Sequence, residues 1–195
     1  MDKSAVIDFF DHCALFWDEE TVRNEEVIAE ILDCGGIKSG IDVLDVACGT
    51  GVLFPDYIKR KVAKLSGIDI SPAMVKIARE KFPFADVICG DIEQYPFSQK
   101  FDAIMVYNAF PHFSDPSAVI RILSGLLKSS GRLTIAHGMS REQLNRHHSG
   151  AAKSVSIELL HEDALERLMM ETGLFVDCKV SDREKYIVSG YRHGS

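Results

Sequence analysis

From residue 41 to residue 137 the chain alternates short apolar runs with amphipathic stretches, and this alternation constrains its fold more than any other feature. Runs of β-branched and apolar residues predict strands over 41–46, 64–70, 85–89, 101–107 and 131–137. Helical periodicity between them predicts helices near 52–61, 72–81 and 116–128. Ser71-Pro72 and Asp115-Pro116 pair a capping side chain with a first-turn proline, which fixes two of the helix starts. Strands separated by helices imply a parallel sheet with right-handed crossovers and ligands at the strands' carboxyl ends.

The first such end is the stretch Val43 to Leu53, where an apolar run closes on Asp45 and Val46 and passes through Gly49 and Gly51. Two residues without Cβ atoms let a ligand lie against the backbone. A helix opening just after them would turn its free N–H groups toward an anionic part of that ligand. Asp45 supplies the opposite charge, so a zwitterion suits the loop. Asp69 ends the second strand 20 positions after Gly49, where a carboxylate can accept from both hydroxyls of a ribose. A nicotinamide-dependent dehydrogenase shares this outline, but its third loop glycine would fall at position 54, which is Phe54.

Before this core, residues 4–17 read as an aromatic helix and 21–34 as a second helix stopped by Gly35-Gly36. After it, Ser140-Arg-Glu-Gln143 has capping-box spacing and opens a short helix to about His148. A helix over 161–172 follows, and 174–181 with 184–190 form a hairpin that gives the sheet one antiparallel strand in its edge region. The 195 residues suit a single domain, divided into an N-terminal helical lid (1–36), a ligand-binding core (37–138) and a closing segment (139–195). The formal charge of −7 argues against nucleic acid or an anionic membrane as the main partner. No apolar run reaches about 18 residues and Met1-Asp-Lys-Ser is not a signal peptide. Five scattered cysteines without a C-x-x-C pair are expected to be reduced thiols in a cytoplasmic protein.

Four motifs stand in order: Asp-Val-Ala-Cys-Gly-Thr-Gly (45–51), Gly-Ile-Asp-Ile-Ser-Pro-Ala-Met (67–74), Gly-Asp-Ile-Glu (90–93) and Phe-Asp-Ala-Ile-Met-Val-Tyr-Asn-Ala-Phe (101–110). Together they resemble the class I S-adenosylmethionine (SAM)-dependent methyltransferases, in particular the small ubiquinone/menaquinone-biosynthesis type. Ala47 departs from the resemblance, since many members carry a glycine there. The resemblance implies a Rossmann-like, mostly parallel seven-stranded α/β sheet with helices on both faces. It implies SAM as donor and S-adenosylhomocysteine as product, bound by Asp45, Ala47, Gly49, Gly51, Asp69, Ile70, Met74, Asp91, Ile92 and Asn108. Within that set Asp91 would take the adenine amino group, Ile92 would offer its backbone N–H, and Met74 would lie against the adenine. Asn108, through its backbone, and Asp45 would face the amino group of the methionine moiety. Phe10, Phe16 and Trp17 would close over donor and acceptor.

Methyl transfer from a sulfonium is an in-line displacement that asks the protein mainly to align, desolvate and, where needed, deprotonate the acceptor. His112 and His137, just past the fourth strand and at the end of the fifth, are the candidate bases. Tyr107 reads as a wall, and Arg141 and Arg146 as a clamp for an acceptor carboxylate. A metal site built from His112, His137, His147 and His148 is set aside, because neighbouring helical residues point about 100° apart. The expected acceptor is a small organic molecule. The competing reading is a SAM- or S-adenosylhomocysteine-binding protein with a regulatory, non-catalytic role.

Overall fold

The computed structural model describes residues 1–148 and 153–194. Seven strands form one sheet in the order β3-β2-β1-β4-β5-β7-β6. They are β1 (Asp42–Val46), β2 (Lys64–Asp69), β3 (Asp86–Cys89), β4 (Phe101–Tyr107), β5 (Leu127–His137), β6 (Leu174–Ser181) and β7 (Tyr186–Arg192). The first five run parallel, and β7 is antiparallel to both β5 and β6. The expected antiparallel strand therefore lies one place in from the edge, with β6 outside it. Strand order reverses between β1 and β4, so the crevice of a doubly wound sheet opens at their carboxyl ends.

Strand parity divides the core into two layers. Leu44, Val46, Ile104, Val106, Leu133 and Ile135 pack against α6 (Pro116–Gly125) and α8 (Glu162–Glu171). Val43, Leu65, Ala103 and Met105 meet α3 (Glu25–Cys34), α4 (Phe54–Lys59) and α5 (Pro72–Lys81) on the other face. Each helix start has a local cause. Asn24, Ser71 and Asp115 accept from the N–H groups of Val27, Met74 and Ala118 at 3.2, 3.2 and 2.9 Å. At α7 (Arg141–His148) the Ser140 and Gln143 side chains each accept from the other's backbone N–H, which completes the capping box. No helix among the described residues is long and apolar enough to cross a membrane.

Several expectations are corrected. The aromatic stretch 4–17 is not one helix: α1 (Lys3–Cys13) stops, and a separate turn, α2 (Trp17–Glu20), follows. The second helix begins at Glu25 behind its Asn24 cap, not at residue 21. Strand β5 starts four residues earlier than its β-branched content suggests, with a register shift between Phe101 and Ala103 of its partner strand. The cysteines are not all reduced thiols. Cys34, at the end of α3, is disulfide-bonded to Cys178 on β6, with Cα atoms 6.0 Å apart across 144 positions of sequence. Only tertiary packing of α3 onto the β6–β7 hairpin brings these two together, so no spacing rule reveals the pair.

Candidate functional site

The glycine loop leaves β1 through Ala47, whose φ is +54°, and continues through Gly49 at +56° and Gly51 at +83°. It forms the floor of a cleft that is open at its mouth. Asp45, Ala47, Gly49, Asp69, Ile70, Met74, Asp91, Ile92, Tyr107, Asn108 and His112 all line it, with Phe10 and Trp17 above. The two glycines differ in kind. A Cβ on Gly49 would lie 3.8 Å from Trp17 Nε1 and 3.9 Å from Met74 Sδ, whereas one on Gly51 would run into Phe82 and Phe54 at 2.9–3.0 Å. Gly51 is thus a packing position outside the cleft, although it was expected against the ligand. The amides of Cys48, Gly49, Gly51 and Phe54 are already bonded to Ile68 O, Asp69 Oδ2, Cys48 O and Gly51 O. Four of the loop's donors are thus committed within the protein.

Successive strand ends deliver the acids. Asp45 is buried, and loss of water pushes its carboxyl up to about 8, with Asp69 adding to the rise and the Tyr57 hydroxyl opposing it. Asp69 accepts from Gly49 N–H at 2.8 Å and Ser71 N–H at 2.9 Å. Burial still holds its pKa above the usual carboxylate range against those two bonds. Each of its oxygens retains acceptor capacity toward the cleft. Asp91, two residues past β3, receives Lys3 Nζ at 2.5 Å, and Glu93 receives the same ammonium at 2.6 Å. Lys3 and Glu93 carry no sequence signal for this role, because the pairing spans 88 and 90 positions.

The roof is fastened along its length. At one end Lys3 of α1 binds the two acids, and further along Asp11 accepts from Ser71 Oγ at 2.5 Å and Ala73 N–H at 3.1 Å. Beyond α1, Asp18 accepts from Thr50 Oγ1 at 2.5 Å and pairs with Lys81 at 2.6 Å. Arg23 reaches the Val52 carbonyl and pairs with Asp56 at 2.7 Å. Phe10 meets His112 edge to face at 4.9 Å and Trp17 at 5.8 Å. His112 Nδ1 lies 2.8 Å from the Val155 carbonyl, and since a carbonyl only accepts, Nδ1 carries the hydrogen and the lone pair sits on Nε2. Burial lowers the pKa of this imidazole, partly offset by that carbonyl, so it is neutral at pH 7.

Besides Gly51, four expected site residues are not brought to the cleft. His137 ends β5 fully buried, with its ring 6.1 Å from that of Tyr186, because strand parity puts both on the sheet face covered by α6 and α8. Phe16 is 55% exposed, since the chain breaks helix just before it. Arg141 and Arg146 sit on α7 outside the lining, Arg141 donating to the Leu159 carbonyl at 3.4 Å. The side chains of His147 and His148 lie outside the described residues, within which no group of three metal-ligating side chains occurs. Phe54, the mark against a dinucleotide loop, is fully buried beside Gly67, where a Cβ would meet its ring at 2.9 Å. Close helix–strand approach is obtained here by a glycine on β2 instead of one on the helix.

Residues 43–131 match the family model described as a methyltransferase domain. A malonyl-[acyl-carrier protein] O-methyltransferase of Acetivibrio thermocellus is 31% identical over 166 residues, which is 81% of this chain and 58% of that protein. A demethylmenaquinone methyltransferase of Thermotoga maritima is 41% identical over 119 residues, 60% of this chain and 50% of that one. The chain thus spans 58% and 50% of the length of these two relatives. Among solved structures, magnesium protoporphyrin IX methyltransferase of Synechocystis with bound S-adenosylhomocysteine aligns at a TM-score of 0.72 and 19% identity, covering 98% of this chain and 100% of that one. A [4+2]-cyclase aligns at 0.78 and 16% identity over 97% and 96%. At such identities the structural likeness speaks for the fold alone.

Proposed function

From the methyltransferase-domain match over residues 43–131, we propose that the chain is a class I methyltransferase that binds SAM in the cleft and transfers the methyl group to a small organic acceptor. The observation that carries this reading is the delivery of Asp45, Asp69 and Asp91 to one groove by three neighbouring parallel strands. The residues fit the donor's parts. Asp69, fixed by two backbone N–H groups, faces the cleft as a rigid acceptor pair for ribose hydroxyls. Asp91 and the backbone N–H of Ile92 suit an adenine edge, and Met74 supplies a polarizable flank. Asp45 and the backbone of Asn108, itself held at φ +53° with its side chain accepting from Gly138 N–H, suit the ammonium of an amino acid.

When bound, SAM supplies an electrophilic methyl on a sulfonium. The chain's own residues then have three tasks. The roof of Phe10 and Trp17 excludes water, which strengthens electrostatics inside. The walls Tyr107, Ala109 and Phe113 hold the acceptor. His112, neutral and set in one tautomer by Val155, accepts the acceptor's proton at Nε2. Of the segment 1–36, residues 1–23 act as the lid, since α3 is packed into the core, and Lys3 exchanges for the adenine amino group at Asp91.

Titration calorimetry with SAM tests the reading. Binding is expected, and Asp69→Ala is expected to weaken it by about 1–3 kcal/mol through lost hydrogen bonds to a charged group. Absence of heat with SAM together with binding of NADH would overturn it. Donor turnover against a panel of small acceptors separates catalysis from mere binding.

A further inference from the structure

Resting on that reading, we infer that the indole N–H of Trp17 is the hydrogen-bond donor for the carboxylate of the bound methionine moiety. The N-terminal segment is then part of the donor site itself and not only a cover over the acceptor.

Three observations converge. First, four of the loop's amides are committed elsewhere. Those of Cys48, Gly49, Gly51 and Phe54 are all bonded within the protein, and the side chains that the strand ends bring here are the acids Asp45 and Asp69. A carboxylate entering here gains from a donor outside the loop. Second, the ground above Gly49 is bracketed by Trp17 Nε1 and Met74 Sδ, 3.8 and 3.9 Å from where a Cβ would stand. Indole nitrogen is a donor only, so it selects the anionic end of a zwitterion and leaves the ammonium to the side chain of Asp45, which gives up its proton as that cation arrives. No acceptor among the described residues takes this N–H. Third, the segment that carries the indole is fastened to the loop and its flanking helices, and the indole itself meets Phe10 edge to face. Asp18 bonds Thr50 of the loop and Lys81 of α5, and Arg23 holds the Val52 carbonyl and Asp56. Thr21 Oγ1 donates to Trp17 O at 2.5 Å. A side chain on a segment tethered at residues 50, 52 and 56 loses little freedom when it binds.

The test compares SAM with decarboxylated SAM, which lacks only the carboxylate, and with 5′-methylthioadenosine, which lacks the whole amino-acid end. Trp17→Phe keeps the ring and removes the donor. Calorimetry is expected to show SAM and S-adenosylhomocysteine bound about 10–100-fold more weakly by the variant. Decarboxylated SAM and 5′-methylthioadenosine should bind it as they bind the wild type. Equal weakening of SAM and decarboxylated SAM, or no weakening of either, overturns the inference. The wild-type protein gives a second readout that does not depend on the variant folding. Trp17 is the only tryptophan, so a ¹⁵N-indole resonance is assigned without ambiguity. Its Nε1–H signal should shift downfield on adding SAM and stay in place with decarboxylated SAM, and identical shifts would refute the assignment. Failure of the wild type to bind SAM at all is a different outcome, and sinks the donor reading instead.

Discussion

Replacing Asp45 with asparagine should make the ligand-free protein more stable, increasingly so as pH rises. Asp45 is 3% exposed, and burial raises the pKa of its carboxyl from 3.8 to about 8. Between those two values the folded protein keeps a proton that the unfolded chain has released, so raising the pH favours unfolding. The associated stability is complete below about pH 4 and is lost progressively up to about pH 8. A tenfold change in proton affinity is worth about 1.4 kcal/mol, so a rise across roughly four pH units sets a ceiling near 5–6 kcal/mol. The cleft admits water to one side of the carboxyl, which brings the expectation to about 2–4 kcal/mol. Asp69 is raised too and tilts the pH profile in the same direction, but it is present in both proteins and largely cancels in the difference. Acids whose pKa is lowered by hydrogen bonds and ion pairs, such as Asp102 beside the Asp42 N–H and Lys128 and Asp177 beside Arg132, act below about pH 4, outside the window. Urea denaturation of wild type and Asp45→Asn from pH 5 to pH 9, without ligand, reads the effect directly. The variant's advantage should grow with pH and level off above about pH 8. Parallel profiles, or a variant less stable at pH 8, would refute the argument that desolvation governs this carboxyl.

Other perturbations follow from the same geometry. Ala47→Gly should raise stability by about 0.5–1 kcal/mol in the same urea assay, because alanine at φ +54° is strained where glycine is not; a loss would show that the methyl group packs usefully. Lys3→Gln should cost less than about 1 kcal/mol, since the ammonium is 38% exposed, yet hydrogen exchange along α1 should speed up markedly. Unchanged exchange would mean that Asp11 alone fastens the helix. Thiol titration of the denatured protein should find three free cysteines without reductant and five with it. Cys34→Ser should lower stability by about 2–4 kcal/mol under oxidising conditions and by far less under reducing ones.

Much of the scaffold was legible because its signals are local. The change from helical to strand periodicity located the parallel strands and most of the helices between them. Ser71-Pro72, Asp115-Pro116 and Ser140-Arg-Glu-Gln143 placed three helix starts where side-chain caps are found. Asp45, Asp69 and Asp91 could be placed at one groove because a parallel sheet puts all its strand ends on the same side. What escaped was decided by single-residue parity or by distance along the chain. One step along β5 settles whether His137 faces the ligand or Tyr186, and composition does not encode that step. The disulfide, the Lys3 ion pairs and the Asp18–Thr50 bond join residues 32–144 positions apart, and none leaves a local pattern. Gly51 looked like Gly49 in sequence, yet the aromatic rings beneath it, Phe54 and Phe82, give it a different purpose.

The sulfur–sulfur bond between positions 34 and 178 makes a covalent ring of the parallel strands and the glycine loop. The roof over the cleft, residues 1–23, hangs outside that ring. Admission of a ligand can therefore be governed by polar tethers worth about a kilocalorie each, such as those of Lys3, Asp11 and Asp18. The hoop beneath remains closed while they let go. Evolution, or an engineer, can retune the doorway of such a protein without loosening its walls.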